Sequence, residues 1–177
     1  MVKRIFFGLV LIVGALVILI STRPSDFRIT RTIAINAQPA IVFAKVNDFH
    51  SWQSWSPWAK LDPKAKSVFE GPAWGVGATM KWAGNDQVGV GSQTITETRG
   101  NDLIRIKLDF EKPFKASNTV EFTFKPQGEQ TIVSWSMFGK SNFMHKAMSL
   151  FMNCDKMVGG QFERGLSQLK IVSEQSN

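Results

Sequence analysis

The chain has 177 residues, 44% of them hydrophobic and 20% charged, with 21 Lys and Arg against 14 Asp and Glu for a formal net charge of +7. The basic residues are spread along the sequence, and the densest group, Lys60 to Lys66, has Asp62 among its lysines, so the basic stripe that nucleic-acid binding requires is absent. One cysteine, Cys154, excludes an intrachain disulfide, and two histidines far apart, His50 and His145, leave no metal-ligand spacing and imply no cofactor.

Residues Ile5 to Ile20 read IFFGLVLIVGALVILI, apolar or glycine throughout, behind Lys3 and Arg4 and ahead of Ser21, Thr22, Arg23 and Pro24. As a helix this run rises about 24 Å, slightly short of a ~30 Å hydrocarbon core, a gap that Ser21, Thr22 and snorkelling basic side chains can close. The run is long for a signal-peptide core and no small-x-small cleavage site follows it, which argues for an uncleaved anchor. Residues 1–24 are therefore expected to form a single-pass transmembrane signal-anchor, its helix over about 5–21, and residues 25–177 one domain. The positive-inside rule places the N-terminus in the cytoplasm and the domain outside it, although Arg23, Arg28 and Arg31 beyond the other end pull against that orientation.

From Phe27 the pattern has period two, Phe27, Ile29, Ile33 and Ile35 opposing Arg28, Thr30 and Thr32, which predicts a half-buried strand. Pro39 suits a helix first turn, and Val42, Phe43, Val46 and Phe49 recur at helical spacing up to Asn47-Asp48. The stretch from Trp52 to Asp62, WQSWSPWAKLD, is too broken by proline and polar residues for a regular element. Strands are predicted at Lys66 to Glu70, Ala78 to Trp82, Gln87 to Arg99, Asp102 to Phe110, Ser117 to Lys125 and Thr131 to Gly139, with turn residues between them that suit an antiparallel meander. From Ser141 to Glu174, apolar residues from Phe143 to Leu169 repeat every three or four positions, predicting one long amphipathic helix or two abutting ones. Gly159-Gly160 inside it requires either a bend or the close approach of something to the helix backbone.

A strand, a short helix, six further strands and a long terminal helix make an α+β domain in which the sheet covers the helix. In this order of elements, the early I-x-A-x-P-x-x-V-F run (Ile35 to Phe43), the N-D-F-x-x-W-x-x-W-S-P-W stretch (Asn47 to Trp58), Asp62-Pro63, the G-x-G-A turn (Gly75 to Ala78), the T-x-V-x-W-x-M-x-G strand (Thr131 to Gly139) and the terminal F-E-x-G-L-x-x-L-K (Phe162 to Lys170), the chain resembles the START-like superfamily, also called SRPBCC. Within it the resemblance is to the polyketide cyclase/dehydrase and lipid-transport group. That resemblance implies a helix-grip fold, a curved antiparallel sheet wrapped around the C-terminal helix, with a hydrophobic cavity between them. It implies little about activity, because the superfamily holds carriers, receptors and enzymes. The iron and iron-sulfur members need Cys/His pairs that this chain lacks.

The candidate ligand contacts for such a cavity are Trp52, Trp55, Trp58, Trp74, Phe69, Trp82, Ile106, Leu108, Phe122, Trp135, Phe151 and Phe162. The four tryptophans of the loop region can offer an apolar face with one polar N–H, or can simply pin a long loop to the domain. Met144, Met148, Met152 and Met157 can form an adaptable wall or ordinary packing. Acid–base candidates are Asp48, Glu70, Glu97, Asp109 and Glu121, with Glu97 the one to watch because Ile95 shares its side of the strand. His145 has no nucleophile fixed beside it by motif, and Gly75-Val76-Gly77 is followed by a strand pattern where a phosphate loop requires a helix. No catalytic residue is assigned. The leading expectation is a membrane-anchored domain that binds a hydrophobic small molecule or lipid. The alternatives are a cyclase- or dehydrase-like enzyme and a protein-interaction module at the membrane, its protein partner unspecified.

Overall fold

Alternation of apolar and polar residues builds seven strands that pair into one antiparallel sheet. The structure, a computed structural model, describes residues 2–141, 143–150 and 153–176, the side chains of residues 2, 5, 144, 145 and 148 excepted. The strands are β1 (Asp26–Ile35), β2 (Lys66–Glu70), β3 (Thr79–Ala83), β4 (Val90–Arg99), β5 (Leu103–Lys112), β6 (Ala116–Gln127) and β7 (Gln130–Lys140). Their order across the curved sheet is β1-β7-β6-β5-β4-β3-β2, so β2 to β7 form a meander and β1 closes onto its last strand. Register fixes the ends. Asp26 pairs with Lys140, Lys112 with Val90, and both Val90 and Lys66 with Ala83. The start of β1 therefore lies at the same end of the sheet as the β3–β4 and β5–β6 hairpins.

The helices are α1 (Val2–Ser21), α2 (Pro39–Asn47), α3 (Pro57–Leu61), α4 (Phe143–Met148) and α5 (Cys154–Glu174), with a 3₁₀ turn at Ser51–Ser54. Pro39 opens α2, which buries Val42, Phe43 and Val46 against the concave face, Phe43 meeting Phe124 edge-on at 5.5 Å. The stretch expected to be irregular is tighter than its composition suggests. Pro57 starts α3, and the indole N–H groups of Trp52 and Trp55 donate to the carbonyls of Val46 and Lys45. Those are orphan carbonyls of the last turn of α2, so the two rings close the helix end as they anchor the loop.

β4 begins at Val90 and not at Gln87, because the Asn85 side chain accepts from the backbone N–H groups of Gln87 and Val88 and holds that segment as a turn. The terminal segment is two helices. Asn153 caps α5 by accepting from Lys156 N–H at 2.9 Å, and Asp155 follows in the first turn, where a carboxylate favours the helix dipole.

The seat of α5 is cut by two glycines. A Cβ on Gly159 would overlap the Arg31 guanidinium, and one on Gly165 would lie 2.7 Å from the Trp135 ring and 2.9 Å from Pro57. Arg31 reaches across from β1 and donates to Glu163 (2.6 Å), to both oxygens of Asp155 (3.2 and 3.0 Å) and to the backbone carbonyls of Asp155 and Thr30 (3.2 and 2.9 Å). All five of its N–H donors are engaged. At the other end of α5, Lys170 donates to Ala34 O, and Glu174 accepts from Lys170 and from Asn36 N–H.

Among the described residues no helix is long and apolar enough to cross a membrane. The single-pass span expected at the N-terminus is therefore not found there. Lys3 and Arg4 occupy the first turn of α1, and residues 6–20, the continuous apolar stretch described, rise about 22 Å against a ~30 Å core. The helix itself forms, with apolar side chains such as Leu11 (73% exposed) and Ile18 (66%) uncovered.

Two outcomes test this packing. Gly165→Ala lowers the unfolding free energy by about 1–2 kcal/mol, the overpacking cost less the helical preference for alanine, whereas Gly160→Ala, with open space around it, raises it by about 0.5–1 kcal/mol; denaturant melts measure both. Hydrogen bonding from Arg31 holds Asp155 below the usual carboxylate range, and Lys170 and Asn36 do the same for Glu174. Their stabilising contribution is therefore complete above the unfolded carboxylate range, about pH 4–4.5, and is lost as pH falls through the lower folded values. Hydrogen-exchange protection factors of α5, corrected for the intrinsic rate, are flat from pH 7 to 5 and fall below about pH 4, and Asp155→Asn weakens that acid response.

Candidate functional site

α2 and the tryptophan-bearing loop fill one half of the concave face. Ile95, Ile104, Ile106, Phe122 and Phe124 are fully buried there in a solid core. The other half lies beneath α5 and is not filled. A cavity of about 220 Å³ remains, floored by Gln93, Leu108, Phe110, Val120, Trp135 and Met137, roofed by Val158 and Phe162 of α5, and closed at the side by Met80 and Trp82 of β3 and by Trp52, Ser56 and Trp58. Asp62, Pro63, Ala65 and Val88 complete the wall at the hairpin end of the sheet, the end where β1 begins.

An aromatic stack sets the height of the roof. Trp135 and Phe162 lie parallel, 4.2 Å between centroids with 8° between planes, and Trp58 meets Trp135 edge-on at 5.6 Å. Gly165 allows this approach, because any larger residue would meet the Trp135 ring first. Trp82 meets Phe110 edge-on at 5.8 Å and donates its N–H to Val88 O, fixing the far wall. The Trp135 N–H is buried with no partner among the described residues.

Of the residues singled out from sequence, Trp52, Trp58, Trp82, Leu108, Trp135 and Phe162 come together around this space. Trp55, Ile106 and Phe122 face the same side of the sheet and pack into the solid half of the core. Phe69 stacks on His50 at 4.0 Å, and Trp74, 67% exposed, sits in the β2–β3 loop, so neither borders the cavity. Phe151 and Met152 lie outside the described residues, as do the side chains of His145, Met144 and Met148, and Met157 points to solvent.

Sequence reasoning passed over Gln93, although it shares the inward phase of β4 with Gly91 and Ile95. A polar residue in phase with buried neighbours was the available signal.

The carboxylates are engaged elsewhere. A register shift between Ile95 and Glu97 turns Glu97 to the outer face, where Arg105 bridges it to Glu121 at 2.5 and 2.9 Å. Glu70 pairs with Lys81 and Asp109 with Lys107. Asp48 feels burial, which raises its pKa, but hydrogen bonds from the His50 backbone and ring and from Ser51 outweigh it, and the net shift is downward. Asp62 is the one ionisable side chain described on the cavity wall, and its two oxygens accept from the backbone N–H groups of Lys64 and Asn85. The arrangement is suited to excluding water from an apolar guest and to orienting it by shape.

A second, open cleft of about 610 Å³ lies where α1 joins β1, edged by Arg23, Arg28, Lys146, Asp26 and Asp155. Its charged rim and breadth distinguish it from the narrower, apolar cavity beneath α5. Among the described residues no group of three or more His, Cys, Asp or Glu is arranged to hold a metal.

Solved structures share this architecture. A START superfamily protein from Mycobacterium smegmatis matches with a TM-score of 0.59 at 15% identity, over 85% of this chain and 99% of that one. A protein from Chromobacterium violaceum matches with a TM-score of 0.60 at 15% identity, over 86% and 99% of the two chains. In the Aha1 dimer from Colwellia psychrerythraea the corresponding values are 0.57, 19%, 84% and 96%. At such identities the likeness is one of fold alone. None of the curated proteins matches the chain. The family model described as polyketide cyclase / dehydrase and lipid transport matches residues 26–174, the whole sheet and α5 together. The chain belongs to that family.

Proposed function

We propose that the domain binds a small hydrophobic molecule in the cavity beneath α5, and that α1 holds the domain at a membrane. The observation that carries the first part is the cavity itself, about 220 Å³ of space walled by four tryptophans, two phenylalanines and aliphatic side chains in an otherwise close-packed interior. The volume is below the 300–1,000 Å³ usual for drug-sized ligands, which favours a compact guest over a whole phospholipid. Removing about 200–250 Å² of its apolar surface from water at ~25 cal/mol per Å² supplies a gross ~5–6 kcal/mol, so affinities fall between millimolar and micromolar. The mechanism is desolvation with shape selection.

The membrane reading is supported by the uncovered apolar surface of α1 and by the end of the sheet it leads into. There the β5–β6 hairpin carries exposed Phe114 between Lys112 and Lys115, a combination that suits an anionic headgroup layer. A second reading, a protein-docking module, draws on Val68, Phe69, Trp74 and Val76, which expose apolar surface on β2 and the loop after it.

Native mass spectrometry of gently purified full-length protein is expected to show one apolar adduct per chain. Val158→Trp fills the cavity from α5 and removes the adduct. A cavity that takes up neither an endogenous molecule nor added naphthalene overturns the binding reading and favours the docking module. For the membrane, the full-length protein co-sediments with vesicles containing anionic lipid, whereas Leu11→Glu with Ile18→Glu leaves it in the supernatant. Failure of the unaltered protein to co-sediment would refute a membrane-held α1.

A further inference from the structure

Among the polar side chains on the cavity wall, which include Gln53, Ser56 and Ser67, Gln93 is the one seated mid-sheet between apolar neighbours. Gln93 lies mid-strand on β4, 6% exposed and on the cavity wall, between the register partners Met80 on β3 and Leu108 on β5, which line the same wall. Its contact among the described residues is from Nε2 to Met80 Sδ at 4.0 Å, and sulfur is a weak acceptor. The amide oxygen accepts nothing from the described residues. The amide oxygen is not among the fully buried atoms without partners, so in the empty fold it faces the cavity space, and an apolar side chain of the same shape would serve the sheet as well.

The neighbouring polar groups of the wall are satisfied differently. The Trp52 and Trp82 N–H groups are tied to backbone carbonyls, and the Asp62 oxygens to backbone N–H groups. Three buried side-chain atoms lack partners among the described residues, at Asn47, Trp135 and Ser173, and the Trp135 N–H alone of these also lies on this wall. The described wall has no cationic side chain, so a carboxylate or phosphate placed there would face Asp62 without a counter-charge.

Resting on the reading of the cavity as a ligand site, we propose that Gln93 is its specificity-determining residue: its amide hydrogen-bonds the hydroxyl or carbonyl oxygen of a compact, uncharged, otherwise apolar ligand. The amide offers donors and an acceptor, so it can serve a hydroxyl in both directions and a carbonyl through its NH₂. The site would discriminate against the same skeleton without the oxygen and against its carboxylate.

Three probes of one skeleton separate the outcomes: naphthalene, 2-naphthol and 2-naphthoate at pH 7. They are titrated into full-length protein in nanodiscs by quenching of the wall tryptophans, with empty nanodiscs as the partition control. The expected result is that 2-naphthol binds about tenfold tighter than naphthalene and that 2-naphthoate binds weakest. Gln93→Leu and Gln93→Met, both close in volume to glutamine, bring 2-naphthol to within about threefold of naphthalene, and the melting temperature does not fall. Equal binding of 2-naphthol and naphthalene by the unaltered protein, or a preference that survives both variants, overturns the role of Gln93 and leaves the cavity reading standing. Uptake of none of the three overturns the cavity reading and this inference with it.

Discussion

α5 is held over the sheet by an arginine in a position that the strand pattern reserves for an apolar side chain. Arg31 shares the inward phase of β1 with Ile29, Ile33 and Ile35, and Trp135 is its register partner on β7. A guanidinium pointing into a core must leave it, and Gly159 supplies the opening through which it passes beneath α5 to Asp155 and Glu163. Both carboxylates are largely exposed, so the Coulomb energy is modest. The value of the contact lies in geometry: five hydrogen bonds from one planar group fix where the helix begins its crossing. The clasp of Lys170 and Glu174 on Ala34 and Asn36 fixes where it ends.

A helix pinned along the β1 edge cannot also cover the opposite edge. Over β7 it makes full contact, with Phe162 flat on Trp135. Over β3, β4 and β5 the sheet continues without it, and the gap is bridged from the side by Trp52, Trp58 and Trp82. The void thus follows from where α5 is fastened. Its modest size follows from the tryptophans, whose N–H groups at positions 52 and 55 seal α2 while their rings take up space that smaller residues would leave open.

Periodicity made most of the fold legible: the strands, α2, and the terminal amphipathic segment all fall where alternation and helical spacing place them. The double glycine required either a bend or a close approach, and the structure shows the approach at one of the two, Gly159 meeting Arg31 and Gly160 meeting nothing. Three features were hidden for physical reasons. Indole N–H groups acting as helix caps depend on a chain reversal that spacing cannot report. A β-bulge reversed the face of Glu97, and a phase count that assumes a regular strand follows the wrong face beyond it. Arg31 and Gln93 were both visible as polar residues in an apolar phase, yet such residues read as noise until the partner, or the lack of one, is known. Within the site, alternation identified which residues face inward, and half of those named do border the cavity. Ile106 and Phe122 face the same way into solid packing, because a period of two gives the face of a strand and not the position along it where α5 lifts away, and Trp55 joins them from the loop before α3.

The placement of the cavity bears on how weak binding could serve the molecule. Its wall at Trp82, Val88 and Phe110 lies at the end of the sheet that register assigns to the start of β1, hence to α1 and the lysine-flanked Phe114 hairpin. A site limited by its size to a few kilocalories of burial is poorly occupied by an apolar molecule dilute in water. Against a bilayer the balance changes, because the same hydrophobic term that drives the molecule into the cavity concentrates it in the lipid, and the local supply rises with the partition coefficient. Under the proposed arrangement the competition is between two apolar environments, membrane and cavity, whose hydrophobic terms largely cancel. What then decides occupancy is what lipid tails do not offer: fixed shape and a buried amide waiting for an oxygen.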